Sequence, residues 1–165
     1  MSINQSYYNT YANLINLMSN ICEAHKNVGS VNVGEVDDYT VTGRDVYPLC
    51  FVELPITAQF GNNSINWSMS LTIVDQVKHD RTDEQIKING CYNISHDIIE
   101  ALKDLPTAGF TAYTNSNSYW VEQNSVNIMT LTRFKDDFTS GIRAEFTLGQ
   151  IIPVNTCDLS NSFNL

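Results

Sequence analysis

Little of this 165-residue chain is charged, and what charge there is falls mostly on one sign. Charged residues make up 16% of the chain against a usual figure of about 25%. Nine Lys and Arg face 18 Asp and Glu, a formal net charge of -9. A grip on nucleic acid needs clustered Lys and Arg to displace counterions from phosphates, and no basic stripe is present. No apolar run approaches the ~20 residues of a membrane span, and the first residues lack the basic and apolar regions of a targeting peptide. The sequence therefore predicts a soluble intracellular protein. Cys22, Cys50, Cys91 and Cys157 include no C-x-x-C pair and follow no secretory signal, which argues against a disulfide framework or a zinc site. They read as reduced, buried, small apolar groups. The N-x-S/T matches at Asn4, Asn62, Asn66 and Asn93 are accidents of an Asn-rich chain.

Catalytic signatures are also missing: there is no glycine-rich phosphate loop, nucleophile elbow or calcium-loop pattern. His25 falls at a predicted helix end, His79 in a turn, and His96 beside Asp97 within a helix. Sequential helical residues point about 100° apart, so His96 and Asp97 do not make a catalytic pair. Cys91 lies five positions from His96, off the i, i+4 spacing. The acidic groups are Asp37 with Asp38, Asp80 with Asp83 and Glu84, and Asp136 with Asp137. Paired acids suit a hard cation, but Asp in turns is favoured for local backbone hydrogen bonding, and that reading is preferred here. No catalytic residue, metal or cofactor is expected.

What the chain does carry is periodicity. From Ser2 to Lys26, apolar groups at Tyr7, Tyr11, Leu14, Ile15, Met18, Ile21 and Cys22 follow the spacing of one helical face. Ser2 is placed to cap the start, and Gly29 to stop the helix. Val31 to Thr42 reads as a weak edge strand or an extended arm. Tyr47 to Phe60 reads as a strand at an edge or bulged at Pro55, and Gly61, Asn62 and Asn63 as a hairpin turn. Trp67, Met69, Leu71 and Ile73 then alternate with Ser68, Ser70, Thr72 and Val74, a strand with one core face and one hydroxyl-rich face.

Thr82-Asp83-Glu84-Gln85 has the form of a capping box. It opens a helix whose stripe, Ile88, Cys91, Tyr92, Ser95, Ile98, Ile99 and Leu102, continues to Asp104. Gly90 inside it implies close packing or a kink. Phe110 to Gln123 is aromatic and polar, with a loop at Asn115 to Ser118. Val126 to Phe134 and Ile142 to Ile152 form the last two strands around an acidic turn, Asp136 to Gly141, with Ile142, Ala144, Phe146 and Leu148 on the buried face. A chain of this length buries roughly 70% of its unfolded surface. Residues 1–165 are expected to form a single α+β domain: a mainly antiparallel sheet with two helices on one face, and a polar extended tail from about residue 155.

Five blocks carry a family resemblance: Y-P-L-C-F-V-E-L-P (47–55), the alternating strand with its exit turn (67–81), I-S-H-D-I-I-E-A-L (94–102), R-F-K-D-D-F-T-S-G-I-R-A-E-F-T-L (133–148) and the following I-P-V-N-T-C. Over about Ala12 to Cys157 the chain resembles the small ring-forming proteins of tailed bacteriophages, the tail-terminator or head-to-tail joining type, especially those of crAss-like phages. The long Asn/Ser-rich tail and the generic first helix depart from that pattern.

The resemblance implies a sandwich fold whose copies form a homo-oligomeric ring in the neck or tail of the virion. Such a ring would neighbour portal, neck or tail proteins, and genomic DNA would pass through it without sequence-specific binding. It brings no catalytic residues and no membrane partner. Candidate interface residues are Val31 and Tyr39 of the arm, Tyr113, Tyr119 and Trp120 of the aromatic segment, and Asp136 and Asp137 of the acidic turn. Tyr and Trp are enriched at interfaces, although burial in the core is an equal alternative for Trp120. The rival class is a small phage-encoded binding protein acting on a host or phage partner through residues 110–123. A hydrolase would need a site that the sequence does not offer.

Overall fold

The two clearest alternations in the sequence form the spine of the sheet. A computed structural model of the chain describes residues 10–35, 45–54, 56–110, 119–133 and 138–151. Strand β4 (Ser64–Gln76) and strand β7 (Thr139–Ile151), 13 residues each, pair antiparallel along their whole length, from Ser64 opposite Ile151 to Gln76 opposite Thr139. Shorter strands flank them. β2 (Leu49–Glu53) and β3 (Thr57–Phe60) pair with successive parts of β4, while β5 (Tyr119–Val121) and β6 (Asn127–Thr132) pair with successive parts of β7, all antiparallel. β1 (Ser30–Gly34) lies outside β2 and parallel to it. The α+β class and the mainly antiparallel sheet are as the periodicity predicts, and the sheet has seven described strands.

Helices α1 (Thr10–Ala24) and α2 (Glu84–Lys103) cover one face of this sheet. α1 contributes Leu14, Leu17, Met18, Ile21 and Cys22, and α2 contributes Ile88, Cys91, Ile94, Ile98, Ile99 and Leu102. They meet Ile65, Trp67, Met69, Leu71 and Ile73 of β4 and Ile142, Ala144, Phe146 and Leu148 of β7. A large side chain buried this fully is worth ~1.5–3 kcal/mol, and most of the buried apolar side chains lie at this interface. Neither helix is long and apolar enough to cross a membrane.

Several expectations are corrected. The single strand Tyr47–Phe60 is two, β2 ending at Glu53 and β3 beginning at Thr57. The capping box does not form: α2 begins at Glu84 behind Asp83, which makes no side-chain cap bond. The Thr82 hydroxyl instead donates to Asp80 Oδ1 at 2.9 Å, and Asp83 Oδ1 accepts the Lys78 N–H at 2.9 Å. Local turn bonds have outcompeted the helix end for these side chains. Gly90 is exposed with open space around it, so it is not a close-packing site. Tyr92 faces solvent and Ile94 takes its place in the stripe.

Gly141 does not close a turn; it sits within β7 opposite Val74, and a Cβ there would overlap the Ile73 carbonyl oxygen. The hairpin turn after β3 forms as predicted, closed by Gly61 N–H to Ser64 O at 2.8 Å. Ser2, Tyr7, Asp37, Asp38, Pro55, Asn115–Ser118, Pro153, Cys157 and the tail lie outside the described residues.

Candidate functional site

Among the described residues no helix covers the second face of the sheet, and its chemistry changes from one end to the other. At the β2 end, Leu49, Phe51, Thr72 and Val74 are buried. Beside them on the same face is a charged network that includes Thr72. Arg143 donates from Nε and Nη2 to Glu53, at 3.0 and 2.7 Å, and its Nη1 stands 2.9 Å from Glu145 Oε1. The Thr72 hydroxyl adds a hydrogen bond to Glu53 Oε1. Glu53 thereby holds the Arg143 guanidinium proton more tightly than usual, against the opposing effect of burial. With both carboxylates engaged on it, Arg143 is a brace across β2, β4 and β7 rather than a free anion receptor.

At the other end the face is mostly uncharged and polar, with Glu122 the one acidic residue of its lining. Thr57, Ala58, Gln59, Asn66, Ser68, Glu122 and Thr147 line a shallow depression of about 610 Å³. Asn66 Oδ1 is buried there with no hydrogen-bond partner among the described residues. Trp120 lies against Gly149, where a Cβ would overlap the indole, and its Nε1–H donates to Glu122 Oε1 at 2.8 Å.

Two further clusters lie on the helical side. His25, at the end of α1, meets Asp97 of α2 through Nε2 at 3.2 Å, while its Nδ1 accepts the Asn27 N–H at 3.2 Å. Accepting at Nδ1 requires that nitrogen to be bare, so Nε2 carries the proton and donates to the carboxylate. Both ring nitrogens are engaged, which leaves none to activate a nucleophile. His96 stands 3.8 Å from Asp97, too long for a hydrogen bond.

Cys22, Cys50 and Cys91 are free, buried thiols in the core between the helices and the sheet. Hydrogen bonding with Cys22, then burial, raises the Cys50 pKa, and burial pushes Cys91 up to about 12. Such thiols are poor nucleophiles. Among the described residues no group of three or more His, Cys, Asp or Glu is placed to hold a metal ion.

Of the candidate interface residues, Val31 is half-buried against the core, Tyr119 is buried within it, and Trp120 is half-buried on Gly149. Tyr39, Tyr113, Asp136 and Asp137 lie outside the described residues. Sequence reasoning missed Glu53, Arg143, Asn66 and the His25–Asp97 contact. The alternation puts Arg143 and Glu145 on the polar face of their strand, but the partner Glu53 is 90 positions away and depends on strand order.

No family model matches this chain, and no match is found among curated proteins.

Proposed function

We propose that this protein is a non-enzymatic structural component of a tailed-phage virion, assembling as an oligomeric ring in the neck or tail and surrounding the genome channel. The observation that carries this reading is architectural. Among the described residues both helices pack on one face, leaving the polar part of the second face around Asn66, Ser68 and Thr147, and the outer sheet edges, for other contacts. The polar clusters that do form are internal braces: Arg143 is engaged by two carboxylates, and His25 is engaged at both nitrogens. The resemblance of the five sequence blocks to ring-forming phage proteins points the same way. A net charge of -9 suits a collar through which DNA passes, since like charge discourages phosphates from sticking.

The test is mass spectrometry of purified particles, with negative-stain microscopy of the isolated protein at high concentration. The protein is expected among the virion proteins and as closed rings. Absence from particles together with a stable monomer would remove the structural reading and favour the partner-binding class.

A further inference from the structure

Every described strand at the rim of this sheet is free of charged residues and of proline: β1 reads S-V-N-V-G, β3 T-A-Q-F, β5 Y-W-V and β6 N-I-M-T-L-T. Proteins that must stay apart blunt such edges with Lys, Pro or bulges, because a bare edge presents unpaired N–H and C=O groups to any passing strand. Two of these edges also match one another. β1 has five residues and β6 has six. They lie at opposite ends of the same cross-sheet rows: Asn32, Phe51, Thr72, Arg143 and Met129 form one row, and Val33, Val52, Leu71, Ala144 and Ile128 the next. No described strand pairs with the outer side of either.

Their directions match as well. β1 runs with β2, β2 and β7 both run against β4, and β6 runs against β7. β1 and β6 are therefore antiparallel. Rotation about an axis along the strands preserves that relation, so neighbouring copies around a ring would bring β1 of one against β6 of the next in the more favourable pairing sense. A head-to-tail ring needs two different, complementary surfaces on each copy, and these two edges are different strands of equal reach. Copies that each carry a charge of -9 also meet at lower cost where neither strand contributes a charged residue, although a carboxylate stands beside β1: Asp45 Oδ1 accepts from the Asn32 amide at 3.4 Å.

We propose that the subunits join edge to edge, β1 of one copy adding antiparallel to β6 of its neighbour, so that the sheet runs on from subunit to subunit. The proposal deepens the ring reading and rests on it for the demand that the contact repeat. In register, Asn32 of one copy stands opposite Met129 of the next, both on the helix-free face.

The test uses the full chain. A double variant, Asn32→Cys with Met129→Cys, should give a ladder of disulfide-linked oligomers under mild oxidation, while each single variant stays at the background set by the native cysteines. Val33→Lys and Thr130→Lys, on the two edges, should each weaken self-association by about tenfold or more. Mixed together they retain one good edge each and should stop at dimers. Gln59→Lys, on β3 at a different level of the sheet, should assemble as the wild type does. Circular dichroism checks that each variant is folded.

Rings that survive both edge lysines, or a double-cysteine variant that yields no ladder, would overturn edge pairing even if the protein is found in particles. Assembly blocked by Gln59→Lys instead would move the contact to β3 and overturn it too. Absence from particles alongside a clear ladder would sink the virion assignment while leaving the edge contact intact.

Discussion

Arg143 crosses the sheet to hold a glutamate that is almost out of water: the Glu53 side chain is 10% exposed against 35% for Arg143. Removing the cation leaves a buried carboxylate with only Thr72 beside it, so Arg143→Ala should destabilise the fold by about 2 kcal/mol, below the ~3–5 of a fully buried pair because the guanidinium is partly solvated. Chemical denaturation measures this, and Glu53→Gln in the Arg143→Ala background should recover most of the loss. Gly90 makes the opposite case. It lies mid-helix, exposed, with nothing within 4 Å of a Cβ. Gly90→Ala should therefore stabilise by up to ~1 kcal/mol, whereas the close packing implied by a helical glycine would have made it harmful. The buried thiols give a third residue-scale test. Only thiolate reacts with iodoacetamide, and burial holds Cys91 near 12, so peptide mapping at about pH 8 should find Cys22, Cys50 and Cys91 unmodified until denaturant is added.

Elements were legible where one face alternates without interruption. Trp67 to Ile73 and Ile142 to Leu148 announce two half-buried strands, and the α2 stripe announces a helix, because burial alone sets those periods. That β4 pairs with β7 was not legible, since 13 matched rows join segments with a helix and two strands between them in the chain. The start of α2 failed for a local reason. Asp80 is two residues from Thr82 and takes both its N–H and its hydroxyl, so the cap residue was already committed. In its place Glu84 anchors the helix to β7, accepting from Arg81 and from the Ser140 hydroxyl, the latter at 2.7 Å. Those bonds, Arg81 first, hold Glu84 below the usual carboxylate range. A depressed folded value means the contribution is present above the unfolded pKa and lost as pH falls through the folded one. The melting-temperature gap between the wild type and Glu84→Gln should accordingly be open at about pH 6 and narrow as pH falls through and below the usual carboxylate range. A gap that stays constant across that range would show that Glu84 acts through packing rather than charge.

At the scale of the whole molecule, net charge and bare edges pull in opposite directions, and ionic strength decides between them. Each copy carries -9, spread over a surface with few cations to offset it, so approaching copies repel over a distance set by the screening length. That length falls from about 30 Å at 0.01 M salt to about 10 Å at 0.1 M. The proposed contact itself contains no charge in β1 or β6, so added salt weakens the repulsion and leaves the attraction of strand for strand untouched. Self-association measured by light scattering should therefore rise over this range. An assembly held by ion pairs would fall apart over the same range, and a nucleic-acid binder would lose affinity steeply as counterion release lost its advantage. The same titration in the presence of duplex DNA separates the cases further: oligomers should grow with salt while DNA is retained at neither end. Dissolution of the oligomer by salt would mean that charged side chains, rather than the bare sheet edges, hold the copies together.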